Sequence, residues 1–189
     1  MTRFTAHLDA CVLVPVTLAD LLLRLAERDH YRPLWSPAIL DEVEQAVTRI
    51  HPDLPAGMPQ RRTDFMDRAF PDASVTGWQH LVGSVGLPDS DDEHVVAAAI
   101  VGRADVIVTH NTRDFPARVL DDLDIEVQTP DTFLLNQLDL APGDVMGALR
   151  DQAGATRCPP LTVEDILTRL HNAGAPTFAS AARSQLWRL

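Results

Sequence analysis

Lysine does not occur in this chain of 189 residues; all 16 of its basic side chains are arginine. Guanidinium suits bidentate contacts to phosphate, although the same uniformity follows equally from coding bias. Positive charge is short overall. A formal net charge of −11 argues against non-specific adhesion to nucleic acid, which normally needs a basic surface, though not against chemistry on nucleic acid. The deficit is uneven: residues 1–139 carry 11 Arg against 23 Asp and Glu, whereas residues 140–189 carry 5 against 4. Cysteine is limited to Cys11 and Cys158, far apart and without metal-ligand spacing, which argues against a disulfide framework and a cysteine zinc site. Cys11, in an apolar stretch, is expected in the core. A run of about 18 apolar residues is missing, and "MTRFTAHLDACVLVP" lacks the pattern of a signal peptide. The expectation is a soluble, cytoplasmic protein with no membrane association. Internal repeats and low-complexity tracts are also missing.

What is present is a hydrophobic fraction of 46%, enough for one main domain with an appendage. "AHLDACVLV" reads as a buried parallel strand ending at Pro15, with one misplaced charge, Asp9. "TLADLLLRLAERD" has helical spacing, and "YRPLWS" reads as a short strand. Ser36 and Pro37 form an N-cap and first-turn pair opening the helix "PAILDEVEQAVTRI". "QRRTDFMDRAF" is another helix, "ASVTGWQHL" is ambiguous, and "DDEHVVAAAIVGR" is a helix with acids at its N-terminus, where the dipole favours them. The strand "ADVIVT", a weak helix near Arg118–Asp122, the strand "IEVQ" and a helix opened by Thr129 and Pro130 follow. Alternating strands and helices imply an α/β fold with a mainly parallel central sheet, whose functional crevice lies beyond the carboxyl ends of the strands. From residue 141 only helical pieces remain. The expected division is 1–139 for the α/β domain and 140–189 for a C-terminal helical extension, whose three short helices are too small to hold a core alone.

Three segments deliver acids to the same predicted sheet edge. Asp9 would cost several kcal/mol if buried and unpaired, so it caps a helix, lies at a solvated strand end, or belongs to a site. Glu42 borders the buried stripe Ile39, Leu40, Val43 and Val47, which equally suits a solvated helix face. Asp89, Asp91, Asp92 and Glu93 crowd one helix start. Taken together, these carboxylates raise one another's cost of ionising, and a divalent cation resolves the repulsion. Oxygen ligands without paired His or Cys favour Mg²⁺ or Mn²⁺ over Zn²⁺, and such ions serve phosphodiester hydrolysis. His94 and His110 flank the acids as proton donors or, more ordinarily, as packing or surface residues. Arg113 reads as a phosphate contact or an ion-pair partner. Arg61 and Arg62 read as a solvated face, and the tryptophans 35, 78 and 187 as packing residues.

"LDACVL", "SPAILDEV", "DSDDEHVVAAAI" and "DVIVTHNTRDFP" resemble, in order and spacing, the motifs of PIN-domain nucleases, most closely VapC-type toxins of bacterial toxin–antitoxin pairs. The resemblance covers roughly residues 5–135 and implies a three-layer α/β/α PIN-like fold. It carries the family's acidic positions onto Asp9, Glu42 and Asp92, with Asp91 as the alternative to Asp92. Many relatives have an aspartate two residues after the threonine that ends the later strand. Here that place is Asn111, with Asp114 three residues further on. The resemblance implies a Mg²⁺- or Mn²⁺-dependent endoribonuclease in which Asp9 and Asp92 hold one ion. Glu42 then binds a second ion or orients the attacking water, and Asn111 or Asp114 completes the shell. Thr109 is expected to hydrogen-bond within the site. The partners implied are an RNA substrate, a cognate antitoxin and a second copy in a homodimer. A catalytically weak PIN-like RNA- or protein-binding module is the rival, permitted by Asn111. A hydrolase of small phosphate esters is disfavoured because Cys11 stands where its second aspartate would be.

Overall fold

The computed structural model describes residues 4–188. In chain order the first elements are β1 (Thr5–Leu8), α1 (Ala10–Leu13), α2 (Val16–Glu27), β2 (Arg32–Leu34), α3 (Pro37–Ile50) and α4 (Met58–Ala69). Then come α5 (Glu93–Gly102), β3 (Val106–Val108), α6 (Ala117–Leu120), β4 (Glu126–Gln128) and the helices α7 (Pro130–Leu140), α8 (Pro142–Ala155), α9 (Val163–Asn172) and α10 (Pro176–Arg183). They form two compact units. One joins the chain up to Val14 with Arg32–Val127; the other joins Pro15–Tyr31 with the chain from Gln128 onward.

The first unit is built on a four-stranded sheet of order β2-β1-β3-β4, and β1 pairs in parallel with both β2 and β3. Every residue of β1 and β3 is buried, as central parallel strands covered on both faces require. His7 lies opposite Leu34 and Ile107, and the Asp9 N–H continues the ladder by donating to the Val108 carbonyl at 3.1 Å. Because β1 and β3 run the same way, Asp9 and Thr109 leave the sheet at one edge. The alanine-rich face of α5 packs against β1 and β3, with Val96, Ala97, Ala98 and Ala99 excluded from solvent. At Gly102 a Cβ would meet Leu34 Cδ1 at 2.6 Å, so a larger residue there requires the buried Leu34 side chain to shift.

β1 is shorter than the sequence suggests. The strand stops at Leu8, Asp9 stays extended, and "ACVL" turns into α1. A short continuous apolar run fits a buried helix as well as a buried strand, and periodicity cannot separate them. Arg62 resolves the case: its guanidinium donates to the carbonyls of Leu13 and Val14, satisfying the end of this short helix. Arg62 is therefore a half-buried structural donor, while Arg61 beside it is exposed as expected. α3 begins as expected, with Ser36 Oγ accepting the Ile39 N–H at 3.2 Å and Ile39, Leu40, Val43 and Val47 buried.

In the second unit α2 packs against α8 and α9, and α10 against α7 and α9. The three late helices thus share a core with α2 and α7 that they could not form alone. Tyr31 meets Phe133 edge to face with ring centres 4.9 Å apart, and Gln152 donates to the Thr17 carbonyl at 2.9 Å. Thr162 and Asp165 form a reciprocal cap on α9. The Asp131 carboxylate accepts the N–H groups of Thr177 and Phe178 at the start of α10. Trp35 and Trp78 pack as expected. Trp187 does not: it is 74% exposed, with the Arg188 guanidinium 4.4 Å from its ring centre. Among the described residues, no helix is long and apolar enough to cross a membrane.

Candidate functional site

Asp9 follows β1 and Thr109 follows β3, so adjacent parallel strands present the two side chains together. The Thr109 hydroxyl donates to the Asp9 carboxylate at 2.6 Å and in turn accepts the Asn111 N–H at 3.0 Å. Thr109 is fully buried, which fixes the rotamer of both partners. Cys11, the second residue of α1, donates from Sγ to the same carboxylate at 3.1 Å and accepts the His110 N–H at 3.2 Å. Burial and the Asp9 charge push its thiol up to about 12, so it remains a donor at neutral pH. Cys11 is therefore partly exposed and part of the acidic site, not a core residue.

The acids before α5 separate by role. Asp89 accepts the Asp91 N–H at 3.0 Å and shapes the one-turn helix Ser90–Asp92. Glu93 is buried, and its carboxylate accepts the N–H groups of Gly83 and Gly86, anchoring the preceding loop. Asp92 faces the other acids. Burial, then the charges of Asp114, Asp9 and Asp89, push its carboxyl up to about 6 against the pull of His94. Asp114 is held by the Asn111 side-chain amide, which donates to it.

Glu42 reaches the cluster through His94, whose Nε2 lies 2.9 Å from its carboxylate. Burial disfavours the charged imidazole, but the hydrogen bond to Glu42 and the charges of Glu42, Asp9 and Asp92 raise its pKa overall. His110 is shifted the other way, burial outweighing Asp9. Beneath them His7 is fully buried with neither ring nitrogen hydrogen-bonded, and burial pushes it down to about 4 despite Asp9. Asp9, Asp92, Asp114, His94 and Glu42 are thus linked electrostatically. Three of these carboxylates, those of Asp9, Glu42 and Asp114, are each turned to a hydrogen-bond partner. Among the described residues, no three His, Cys, Asp or Glu side chains stand close enough to form a metal cluster.

β1, β3 and the residues Asp9, Glu42 and Asp92 fall within residues 5–113, which match a family model for the PIN domain. The chain belongs to the PIN-domain family. A second model, the VapC50 C-terminal domain, matches residues 130–184 of this PIN-domain protein. The chain is also 40% identical over 92 residues to a Mycobacterium tuberculosis (strain ATCC 25618 / H37Rv) protein named "Putative ribonuclease VapC50". That match covers 49% of this chain and 54% of the relative, so it spans about half the length of each. No solved structure gives a significant match.

Within the PIN domain, Asp9 and Thr109 are hydrogen-bonded to each other, Asp92 feels the charges of Asp9 and Asp114, and Glu42 is paired with His94. Asn111 is engaged as a hydrogen-bond donor. Asp91 is exposed and supplies only its backbone N–H to Asp89. Sequence reasoning missed the Cys11 thiol as a partner of Asp9 and the buried anchoring role of Glu93. The signal for the first was its position two residues after Asp9; for the second there was none, since its partners are backbone groups.

Proposed function

We propose that this protein is a Mg²⁺- or Mn²⁺-dependent endoribonuclease, the toxin of a type II toxin–antitoxin pair, hydrolysing RNA phosphodiester bonds in the cytoplasm. The observation that carries the reading is the juxtaposition of Asp9 and Thr109, hydrogen-bonded at 2.6 Å where β1 and β3 end side by side in a PIN-domain sheet, with Asp92 close enough to feel the Asp9 charge. An all-oxygen donor set under mutual repulsion fits a hard dication. Asp9 and Asp92 would hold it, with Glu42 serving a second ion or orienting water, and Asp114 rather than the donating Asn111 completing the shell. When bound, the ion supplies charge neutralisation for the carboxylates and for the reacting phosphate. The chain's own residues do the positioning. Thr109 and Cys11 both donate to one Asp9 oxygen, Oδ2, Asn111 fixes Asp114, and His94 holds a proton at Nε2 against Glu42. A cognate antitoxin covering the acidic edge, and a homodimer, complete the proposal.

Purified protein incubated with structured RNA and Mn²⁺, beside Asp9→Asn, is the test. Cleavage by the parent and its loss in the variant are expected. Cleavage that survives in Asp9→Asn defeats the site assignment, and a parent that binds RNA without cutting it supports the binding module instead.

A further inference from the structure

The turn Asn111–Asp114 has two faces. Asn111 and Asp114 turn to the acids, while Thr112 and Arg113 line a separate cavity of about 430 Å³. Phe115, Leu120 and Ile125, all buried, are among its apolar residues, and Asp121 is an acidic one. The volume falls in the range of small-ligand pockets and suits a single nucleotide. Its lining is instructive: a phosphate would face the Asp121 carboxylate, whereas a neutral base offers N–H donors to it and a flat apolar surface to the rest. Arg113 has no ion pair among the described residues, so its guanidinium remains available to a phosphate at the cavity edge.

Resting on the nuclease reading, we propose that this cavity is the base-selection subsite, receiving one unstacked nucleobase of the strand next to the scissile phosphate. Arg113 and Asp114 are consecutive, with Cα atoms about 3.8 Å apart, so one turn places the acids and the subsite within a nucleotide of each other. Single-stranded RNA is recognised in this way, by splaying a base out and bonding its edge. A carboxylate accepts best from an edge with two adjacent N–H donors, which among the four bases is guanine.

The test uses two variants of the full chain. Val127→Phe fills the cavity from β4 with a residue suited to strands, and Asp121→Asn changes an exposed side chain without changing its size. Cleavage-site mapping on a randomised RNA pool and anisotropy with a short fluorescent single-stranded RNA are the readouts. In the parent a guanine is expected at one fixed offset from the cut. Asp121→Asn should relax that preference about tenfold, and Val127→Phe should weaken RNA binding by a similar factor. Unchanged site choice and unchanged binding in a folded Asp121→Asn overturn the subsite. Loss of antitoxin inhibition in Val127→Phe with RNA binding intact assigns the cavity to the antitoxin and overturns it too. If the parent cuts no RNA, the nuclease reading fails by itself, while anisotropy still decides whether Asp121 and Val127 hold a base.

Discussion

Thr109 is a small residue with a large positional effect. Its hydroxyl stands between the Asn111 N–H and the Asp9 carboxylate, so one buried oxygen sets the distance between the strand-end acid and the turn carrying Asp114. Thr109→Val keeps the shape and removes the relay. Activity on RNA is expected to fall about tenfold to a hundredfold with the fold retained, as for other groups that orient a ligating side chain. Single-turnover rates together with a thermal melt check this. Asp92 makes the opposite trade, since its carboxyl titrates near 6 in the folded protein and near 3.8 unfolded. The folded state therefore binds the extra proton between those values, and stability present below about pH 4 is lost as pH rises through 6. Asp92→Asn is expected to raise the metal-free melting temperature at pH 7.5 by about 2 °C, the effect of solvent screening included. That gain should vanish below about pH 4, and Mn²⁺ should stabilise the parent but not the variant. An unchanged metal response in Asp92→Asn would remove Asp92 from the ligand set. Asp9 and Glu42 stood out in the sequence because each is a charge at the edge of an apolar pattern, whereas Asp92 was singled out from its neighbours only by the family resemblance. The partner of Glu42 was not legible, since His94 is distant in sequence, and the orientation of the Asn111 amide was not, since a donor to Asp114 and an oxygen ligand fit the same sequence.

Elements were legible where a local rule acts alone. Ser36–Pro37, Thr129–Pro130 and Thr162 with Asp165 each mark a helix start by hydrogen bonds within a single turn, and each helix begins there. The strand "ADVIVT" was legible from its β-branched run. α1 was not, because its four apolar residues satisfy strand and helix patterns alike and the decision comes from Arg62, far along the chain. The start of α5 shows the same limit: four acids in five residues look equivalent, yet Glu93 alone points inward. It gives the loop before α5 its fixed form by accepting from Gly83 and Gly86, two positions with φ of 87° and 77° that suit glycine. Glu93→Ala leaves both N–H groups without their acceptor and is expected to destabilise the protein by about 2 kcal/mol. Asp91→Ala, on the same turn but exposed, should cost less than about 0.5 kcal/mol. Urea unfolding of the pair measures the difference, and equal losses would mean that the acid cluster acts only through the helix dipole.

At the scale of the whole molecule, and on the nuclease reading, the charge of −11 governs how RNA would approach. Most proteins that hold nucleic acid neutralise phosphates with a basic surface and release counterions, and their affinity falls steeply with salt. Here the acidity is concentrated before residue 140, in the stretch that contains the candidate site, and the later residues are close to neutral. Electrostatic steering by the protein alone is therefore repulsive, and on the proposed reading binding would come from a few directed contacts together with a divalent cation at the acids. The salt response distinguishes this from ordinary adhesion. Between about 50 and 200 mM NaCl a protein with six to ten phosphate contacts loses roughly 10³-fold or more in affinity. For this chain, a short single-stranded RNA with the Asp121 and Arg113 positions intact should lose less than about threefold over the same range, while added Mg²⁺ tightens it. Anisotropy titrations on the non-cleaving Asp9→Asn form in NaCl series, with and without Mg²⁺, read both effects. A steep loss with NaCl, abolished by replacing Arg157 and Arg169 with Gln, would show that the late arginines and not the acidic edge bring RNA to the protein.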